Sequence, residues 1–190
     1  MAKKKSLSKL KEELDVVYSR YIRLIDADDK GYCTCISCNS KHHWTKIQNG
    51  HYCSRRHEVT RWYDKNNHPQ CVACNIYAEG SKIWYRRNIV DNYYGEKEVR
   101  HIEDISLEKA PLNRKETLDL IDKYSELVHK LEGEFILKGI YHDEIDSDTI
   151  LDIIKCLNNG LSQKKTKERY NVPTSLVSNL AKHKDLVKQH

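Results

Sequence analysis

Cys35-Ile36-Ser37-Cys38 and Cys71-Val72-Ala73-Cys74 are two Cys-x-x-Cys pairs separated by a stretch poor in apolar residues. No other feature of this 190-residue chain restricts its folding so tightly. One turn of backbone directs both thiolates of such a pair at a single ion, so two pairs make a closed tetrahedral shell. Four soft sulfur ligands favour Zn2+, and a closed shell leaves no open position, which makes this metal structural. Zinc binding contributes on the order of 10 kcal/mol to folding, which would outweigh the thin core of the segment it ties together. Cys33 is an alternative to Cys35 as a ligand; the spacing repeated in the second pair favours Cys35. Cys53 and Cys156 read as small buried side chains.

A disulfide framework does not explain the cysteines, because their number, seven, is odd and four sit at metal-ligand spacing. The lysine-rich start Ala2-Lys3-Lys4-Lys5 lacks the apolar stretch of an export signal. No apolar run approaches the roughly 20 residues that span a bilayer. The expected address is cytoplasmic, with no membrane contact. The net charge of +5 is unevenly spread. Residues 31–90 hold nine Lys and Arg against three acids, residues 151–190 hold eight against three, and the intervening 101–150 hold six against thirteen. Two basic blocks joined by an acidic connector predict two surfaces that meet a polyanion, with DNA as the partner.

Within residues 6–27, Leu7, Leu10, Leu14, Val17, Tyr18, Tyr21, Leu24 and Ile25 fall at helical spacing, with Ser6 as N-cap. Asp28-Asp29-Lys30-Gly31 reads as a turn. The stretch from His43 to Cys53 reads as a hairpin, with Asn49-Gly50 in a type I′ turn and His51 opening the second strand. Residues 54–70, aperiodic and containing Pro69, read as a loop into a helix that starts near Cys71, bends at Gly80 and stops at Gly95. A helix over 113–131, burying Leu118, Ile121, Leu127, Val128 and Leu131, is expected to end at Gly133.

His51 lies between the cysteine pairs, and Asn75 directly follows Cys74 at the start of a helix pinned by the same zinc. A strand histidine facing a helix-borne amide suits activation of water beside a bound cation. His51 is the candidate general base, since an imidazole titrates near neutral pH. Asn75 is the candidate ligand, through its side-chain oxygen, of a catalytic Mg2+ or Mn2+.

The run GHYCSRRHEVTRWYDKNNHPQCVACNIYAEG at residues 50–80, with DADDKGYCTCISC upstream, resembles the phage lambda NinG (Rap) family of recombination endonucleases over roughly residues 14–130. CVACNIYAEG also resembles the corresponding part of phage endonuclease VII, a Holliday-junction resolvase with a His-Me finger (ββα-metal) site. The resemblance implies a treble-clef zinc fold, an HNH-type site, divalent-metal-dependent cleavage of branched recombination intermediates, and a homodimer. It implies His51 as the base, Asn75 as the metal-binding amide and Asn66 as the middle asparagine that braces the loop. Glu79 falls one residue later than an acidic residue of the endonuclease VII motif. Many HNH sites carry a metal ligand just before the base, where this chain has Gly50. His57, Asp64 and Glu79 are the candidates to substitute for it, His57 first.

Arg55, Arg56, Arg61, Lys82, Arg86 and Arg87 surround the site in sequence and are the candidate phosphate contacts. Trp44, Trp62 and Trp84 are candidates for stacking on unpaired bases, with burial expected for at least two of them. His42 and His68 read as structural or solvent-facing. Further on, Leu151, Ile154 and Leu157, then Gly160-Leu161-Ser162, then Asn171-Val172-Pro173 ahead of Leu176, Val177 and Leu180, mark three short helices spaced as in a helix-turn-helix. Asn171 suits the left-handed turn. The third helix would present Thr174, Ser175, Ser178, Asn179 and Lys182 to a major groove, while Lys164, Lys165 and Lys167 meet backbone. Thr166 and Lys167 stand where apolar or small residues are usually buried. A plain helical dimerisation tail is the alternative.

These readings predict an α+β chain, predominantly helical, with a small zinc-bound treble-clef ββα-metal core. Residues 1–133 would form the nuclease domain, 134–146 an acidic linker and 147–190 the helix-turn-helix module. The expected function is structure-selective, metal-dependent cleavage of branched DNA such as Holliday junctions, in a bacterial host cell, with phage or prophage origin. The alternatives are a zinc-containing DNA-binding regulator without catalysis and a sequence-specific HNH endonuclease.

Overall fold

The computed structural model describes residues 4–187; the first residues of the lysine-rich start and the last three of the C-terminal module lie outside that range. Helix α1 (Leu7–Ile25) starts where the Ser6 hydroxyl accepts a bond from Lys9 N, and it buries Leu10, Leu14, Tyr18, Ile22 and Leu24. That stripe packs with Trp62, Ile121 and Tyr124, so the amphipathic face of α1 covers a core within this chain.

Strand β1 (Tyr32–Thr34) pairs antiparallel with β2 (Lys41–His43), and β3 (Gln48–His51) pairs antiparallel with β4 (Asn67–Gln70). The hairpin expected at Asn49-Gly50 is therefore corrected: both residues lie inside β3, opposite Pro69 and His68, and neither has a positive φ. Gly50 answers a steric demand. A Cβ there would stand 2.4 Å from Gln70 Oε1 and 2.7 Å from Gln70 Cβ. Residues 67–70 are strand rather than loop for a related reason. Pro69 has no N–H to donate, but its carbonyl accepts from Ile36 N at 2.9 Å, so a proline is tolerated in this two-stranded ribbon.

Helix α2 (Glu58–Arg61) and a 3-10 turn at Asp64–Asn66 connect β3 to β4. A π-helical turn, Ala73–Tyr77, starts inside the second cysteine pair and carries Cys74 and Asn75. Glu79, Gly80 and Ser81 then all adopt left-handed backbone, with φ of 49°, 87° and 46°. Helix α3 (Lys82–Ile89), a π-helical stretch Val90–Tyr94 and α4 (Gly95–Ser106) come next. The bend at Gly80 falls where the sequence predicts it. Gly95 does break the helix, but it also opens α4, whose Val99 and Ile102 pack with Ile36, Tyr52, Tyr85 and Ile89.

Asn113 caps α5 (Arg114–Leu137): its Oδ1 accepts from Lys115 N and Glu116 N, and the Glu116 carboxylate accepts from Asn113 N, a reciprocal capping box. The buried face runs Thr117, Ile121, Tyr124, Val128, and Leu118 faces solvent. The helix does not end at Gly133. A helical glycine costs about 1 kcal/mol, whereas burying a side chain such as Phe135 or Ile136 just beyond it returns roughly 1.5–3 kcal/mol.

The chain divides into two compact units, Met1–Val128 and His129–His190, with the division inside α5. In the second, Asp146 caps α6 (Ser147–Asn158) and Ser162 caps α7 (Gln163–Tyr170). Asn171 turns the chain in the left-handed conformation, φ 50°, into α8 (Thr174–Leu180). Ile150, Ile153, Ile154, Leu157, Val172, Leu176, Val177 and Leu180 are buried. Thr166 is buried as well, and its hydroxyl donates to Ser162 O at 3.0 Å, which meets the cost of placing a polar group there. The architecture is mixed α+β and mostly helical. Among the described residues no helix is long and apolar enough to cross a membrane.

Candidate metal centre and the adjoining cavity

The knuckle after β1 and the turn after β4 bring the thiols of Cys35, Cys38, Cys71 and Cys74 within 4.8 Å of one another. Cys38 Sγ and Cys71 Sγ are 3.8 Å apart. A tetrahedral ion with metal–sulfur bonds of about 2.3 Å separates its ligands by about 3.8 Å, so the set can hold a structural metal such as zinc. Cys71 N donates to Cys35 Sγ at 3.3 Å, a bond that favours a thiolate. Cys33 is excluded from this set: it is buried, and its thiol donates to Arg23 O at 3.1 Å. Cys53 and Cys156 also lie outside it.

The turn at the second cysteine pair also carries Asn75, Ile76 and Glu79 to the cavity that His51 lines. On β3 the His51 ring is mostly buried, and its Nε2 lies 3.2 Å from Arg61 O. A carbonyl oxygen only accepts, so Nε2 bears the proton and Nδ1 keeps its lone pair. Burial pushes the ring pKa down to about 4, with the Arg61 carbonyl and Asp15 opposing and Arg55 and Arg61 adding to the shift. At neutral pH this imidazole is uncharged and can accept a proton at Nδ1.

The aim of that ring is set from a distance. Arg61 Nε and Trp62 Nε1 both donate to Asp15 Oδ1 at 2.9 Å, and a second guanidinium nitrogen of Arg61 bonds Asp15 Oδ2. Helix α1 thereby holds the backbone that presents the Arg61 carbonyl. Asn67 Nδ2 donates to the same carbonyl at 3.3 Å and to Tyr63 O at 2.8 Å. Asn66, fully buried, closes the loop after β3: its Oδ1 accepts from Cys53 N at 2.7 Å, and its Nδ2 donates to Cys53 O and Thr60 O. Neither Asp15 nor Asn67 carries a local sequence signal, because each acts through a partner far along the chain or through backbone.

A cavity of about 690 Å³ brings His51 and Asn75 together with Gln48, Asn49, Glu79, Arg55 and Lys82. Asn75 Nδ2 donates to Gln48 Oε1 at 2.8 Å, which leaves the Asn75 side-chain oxygen for another partner. Of the three residues expected to replace a ligand at Gly50, only Glu79 lines this cavity. His57 precedes α2 and lines a different cavity, of about 310 Å³, with Lys82 and Arg86. Asp64 accepts from the Tyr18 hydroxyl at 2.9 Å and from that of Tyr124 at 3.4 Å. His68 is buried between the hydroxyls of Tyr85 and Tyr94 at 3.1 and 3.0 Å, as a structural histidine.

A family model described as Bacteriophage Lambda NinG protein matches residues 1–134. The chain belongs to the NinG family. No curated protein and no solved structure matches it. All four clustered cysteines, His51, Asn66 and Asn75 fall inside the NinG span, and α6, α7 and α8 lie beyond it. Within that span the predicted phosphate contacts divide. Arg55, Arg56 and Lys82 are exposed and have no ion pair among the described residues, and Arg55 and Lys82 line the His51 cavity. Arg61 is engaged by Asp15, Arg86 by Glu96 and Glu103, and Arg87 by Asp91. Arg61 is thus corrected from a surface cation to an internal one. Trp44 and Trp62 are buried and Trp84 is exposed. Beyond the NinG span, Lys164, Lys165, Lys167, Thr174, Ser175, Ser178 and Lys182 are exposed, and Asn179 is half-buried.

Proposed function

We propose that this NinG-family chain is a divalent-metal-dependent endonuclease of the HNH, His-Me finger type that hydrolyses branched DNA, Holliday junctions included. The observation that carries the reading is the placement of His51, fixed through Nε2 on a backbone carbonyl and lining the cavity that Asn75 also lines. On this reading the β3–β4 ribbon, the thiol cluster and the helical turn bearing Asn75 would form the ββα-metal core of a treble clef, with zinc in the four-thiolate site.

The donor chemistry of the cavity fits a hard cation. Asn75 offers its side-chain oxygen, Glu79 a carboxylate, and Asn49 Oδ1 is a buried acceptor with no hydrogen-bond partner among the described residues. Mg2+ or Mn2+ prefers such oxygen ligands, and when bound it would supply Lewis-acid stabilisation of the phosphate and of the departing 3′-oxygen. His51 Nδ1 takes a proton from water as the water oxygen bonds to phosphorus. The bond to the 3′-oxygen breaks, leaving a 5′-phosphate and a 3′-oxyanion that takes a proton from solvent to become the 3′-hydroxyl. Arg55 and Lys82 hold the flanking phosphates by charge and so read no sequence. The turn at Asn171 between α7 and α8 is read as a helix-turn-helix, with Lys164 and Lys165 on backbone and Ser175, Ser178, Asn179 and Lys182 toward bases. Cutting both strands of a junction calls for two such sites, and a homodimer supplies them.

The test compares a labelled four-way junction with a linear duplex of the same sequence, each with Mg2+ or Mn2+ and with no divalent cation added. The expected result is cation-dependent cutting of the junction and sparing of the duplex. No cutting under any condition would leave a DNA-binding regulator. Cutting that follows sequence rather than branching would make the chain a sequence-specific enzyme.

A further inference from the structure

We infer that a cavity beside Trp84 docks an unpaired nucleobase, apart from the cavity that holds His51 and Asn75; the inference rests on the reading of this chain as one that acts on DNA. Trp44 and Trp62 are 2% and 9% exposed, whereas Trp84 on α3 is 55% exposed. The Arg87 guanidinium lies 5.6 Å from the centre of the Trp84 indole and 3.5 Å from Asp91. Trp84 and Arg87 therefore form a flat, cation-backed platform of the kind on which bases stack.

The space next to this platform, about 600 Å³, is walled by Ser37, Asn39, Asn88 and Asn92 as well. Amides and a hydroxyl offer donors and acceptors together, which matches the edge of a base. A phosphate is a poorer fit, because the one cation of this wall is already balanced by Asp91. Asn88 is held in place, its Nδ2 donating to Ile36 O at 2.6 Å, so this part of the wall is fixed before any ligand arrives.

Position gives the cavity its consequence. Ser81 lines it, while the neighbours Gly80 and Lys82 line the His51 cavity. The left-handed turn at Glu79, Gly80 and Ser81 is therefore the partition between the two. An intact duplex keeps its bases stacked on one another, so only DNA with an unstacked position can place a base on Trp84 while a phosphate enters the His51 cavity. This is a physical source of preference for branch points.

Tryptophan emission reads the site, because the other two indoles are buried. The full chain, without Mg2+ or Mn2+, is titrated with a short oligothymidylate and with a duplex of equal length; anisotropy of a labelled strand gives affinity. The single strand is expected to quench emission saturably. Trp84→Ala should remove the quench and weaken single-strand binding about tenfold, the scale of one lost base stack. Trp84→Phe should restore most of the affinity. Single-strand affinity unaltered in a folded Trp84→Ala, or equal quenching by single strand and duplex, would overturn the inference. Failure of the nuclease reading looks different: no cutting by the unmodified chain, with Trp84-dependent binding of single strands retained.

Discussion

Withdrawing zinc with a strong chelator, or replacing Cys38 or Cys74 with serine, is expected to unfold the region between β1 and α3 and to abolish any activity of the His51 cavity. The four thiols tie the knuckle after β1 to the turn after β4. Between those points few apolar side chains are buried: Ile36 and Tyr52 enter the cluster around Tyr85, Trp62 packs on α1, and Trp44 and Ile47 are buried, while much of the intervening chain is held by polar side chains such as Asn66, Asn67 and Gln70. A structural zinc site contributes on the order of 10 kcal/mol, comparable with the roughly 5–15 kcal/mol by which a whole domain is stable. Loss of one ligand therefore exceeds what the remaining contacts can absorb. Residues of α6, α7 and α8, in the other compact unit, are expected to keep their amide resonances. Two-dimensional NMR before and after chelation checks both halves. A β3–β4 ribbon that persists without metal would show that the cysteines are merely free thiols.

His51→Ala is expected to lower single-turnover cleavage by about 10²- to 10⁴-fold while DNA affinity stays within a factor of about two, the pattern of a lost general base. Among the described residues the ring bonds Arg61 O, and its removal leaves Arg55 and Lys82 in place to bind phosphate. The pH profile adds a signature. Burial lowers the folded-state pKa of His51 to about 4, below the usual 6.5 or so of an unfolded histidine. The working form is the neutral one, so the rate should stay flat from pH 8 to about 5 and fall only as pH approaches about 4. Stability runs in the same sense. His51 and His68, both lowered to about 4 by burial, contribute nothing unfavourable above the unfolded pKa and destabilise progressively as pH falls through it toward the folded value. An acid limb centred near the ordinary histidine pKa in a stably folded chain would mean that another group is the base.

The parts of this fold that were legible in the sequence are those with a local period or a paired motif. Helix α1, its Ser6 cap and the cysteine set follow from spacing alone, as does the left-handed Asn171. The strands were not legible, because Asn49-Gly50 has the composition of a turn and its actual partners, Pro69 and His68, lie far along the chain. Gly50 is explained only once Gln70 is seen to occupy the space of its missing side chain. Arg61 shows the same limit. In sequence it is one more base in a basic loop, and only the fold brings Asp15 of α1 against its guanidinium. Helix α4 has no such local signal, because Gly95, a good helix terminator, here also begins a helix. At the site, His51 and Asn75 were readable from their placement beside the cysteine pairs. Asp15, Asn67 and Asn49 were not, since each is defined by what it touches.

Paramagnetic broadening by Mn2+ tests the central arrangement most directly, with the histidine rings isotopically labelled and a non-cleavable junction bound. The His51 ring signals should vanish at substoichiometric Mn2+ and reappear in Asn75→Ala. Full activity with Mn2+ and an undisturbed His51 resonance would contradict the account.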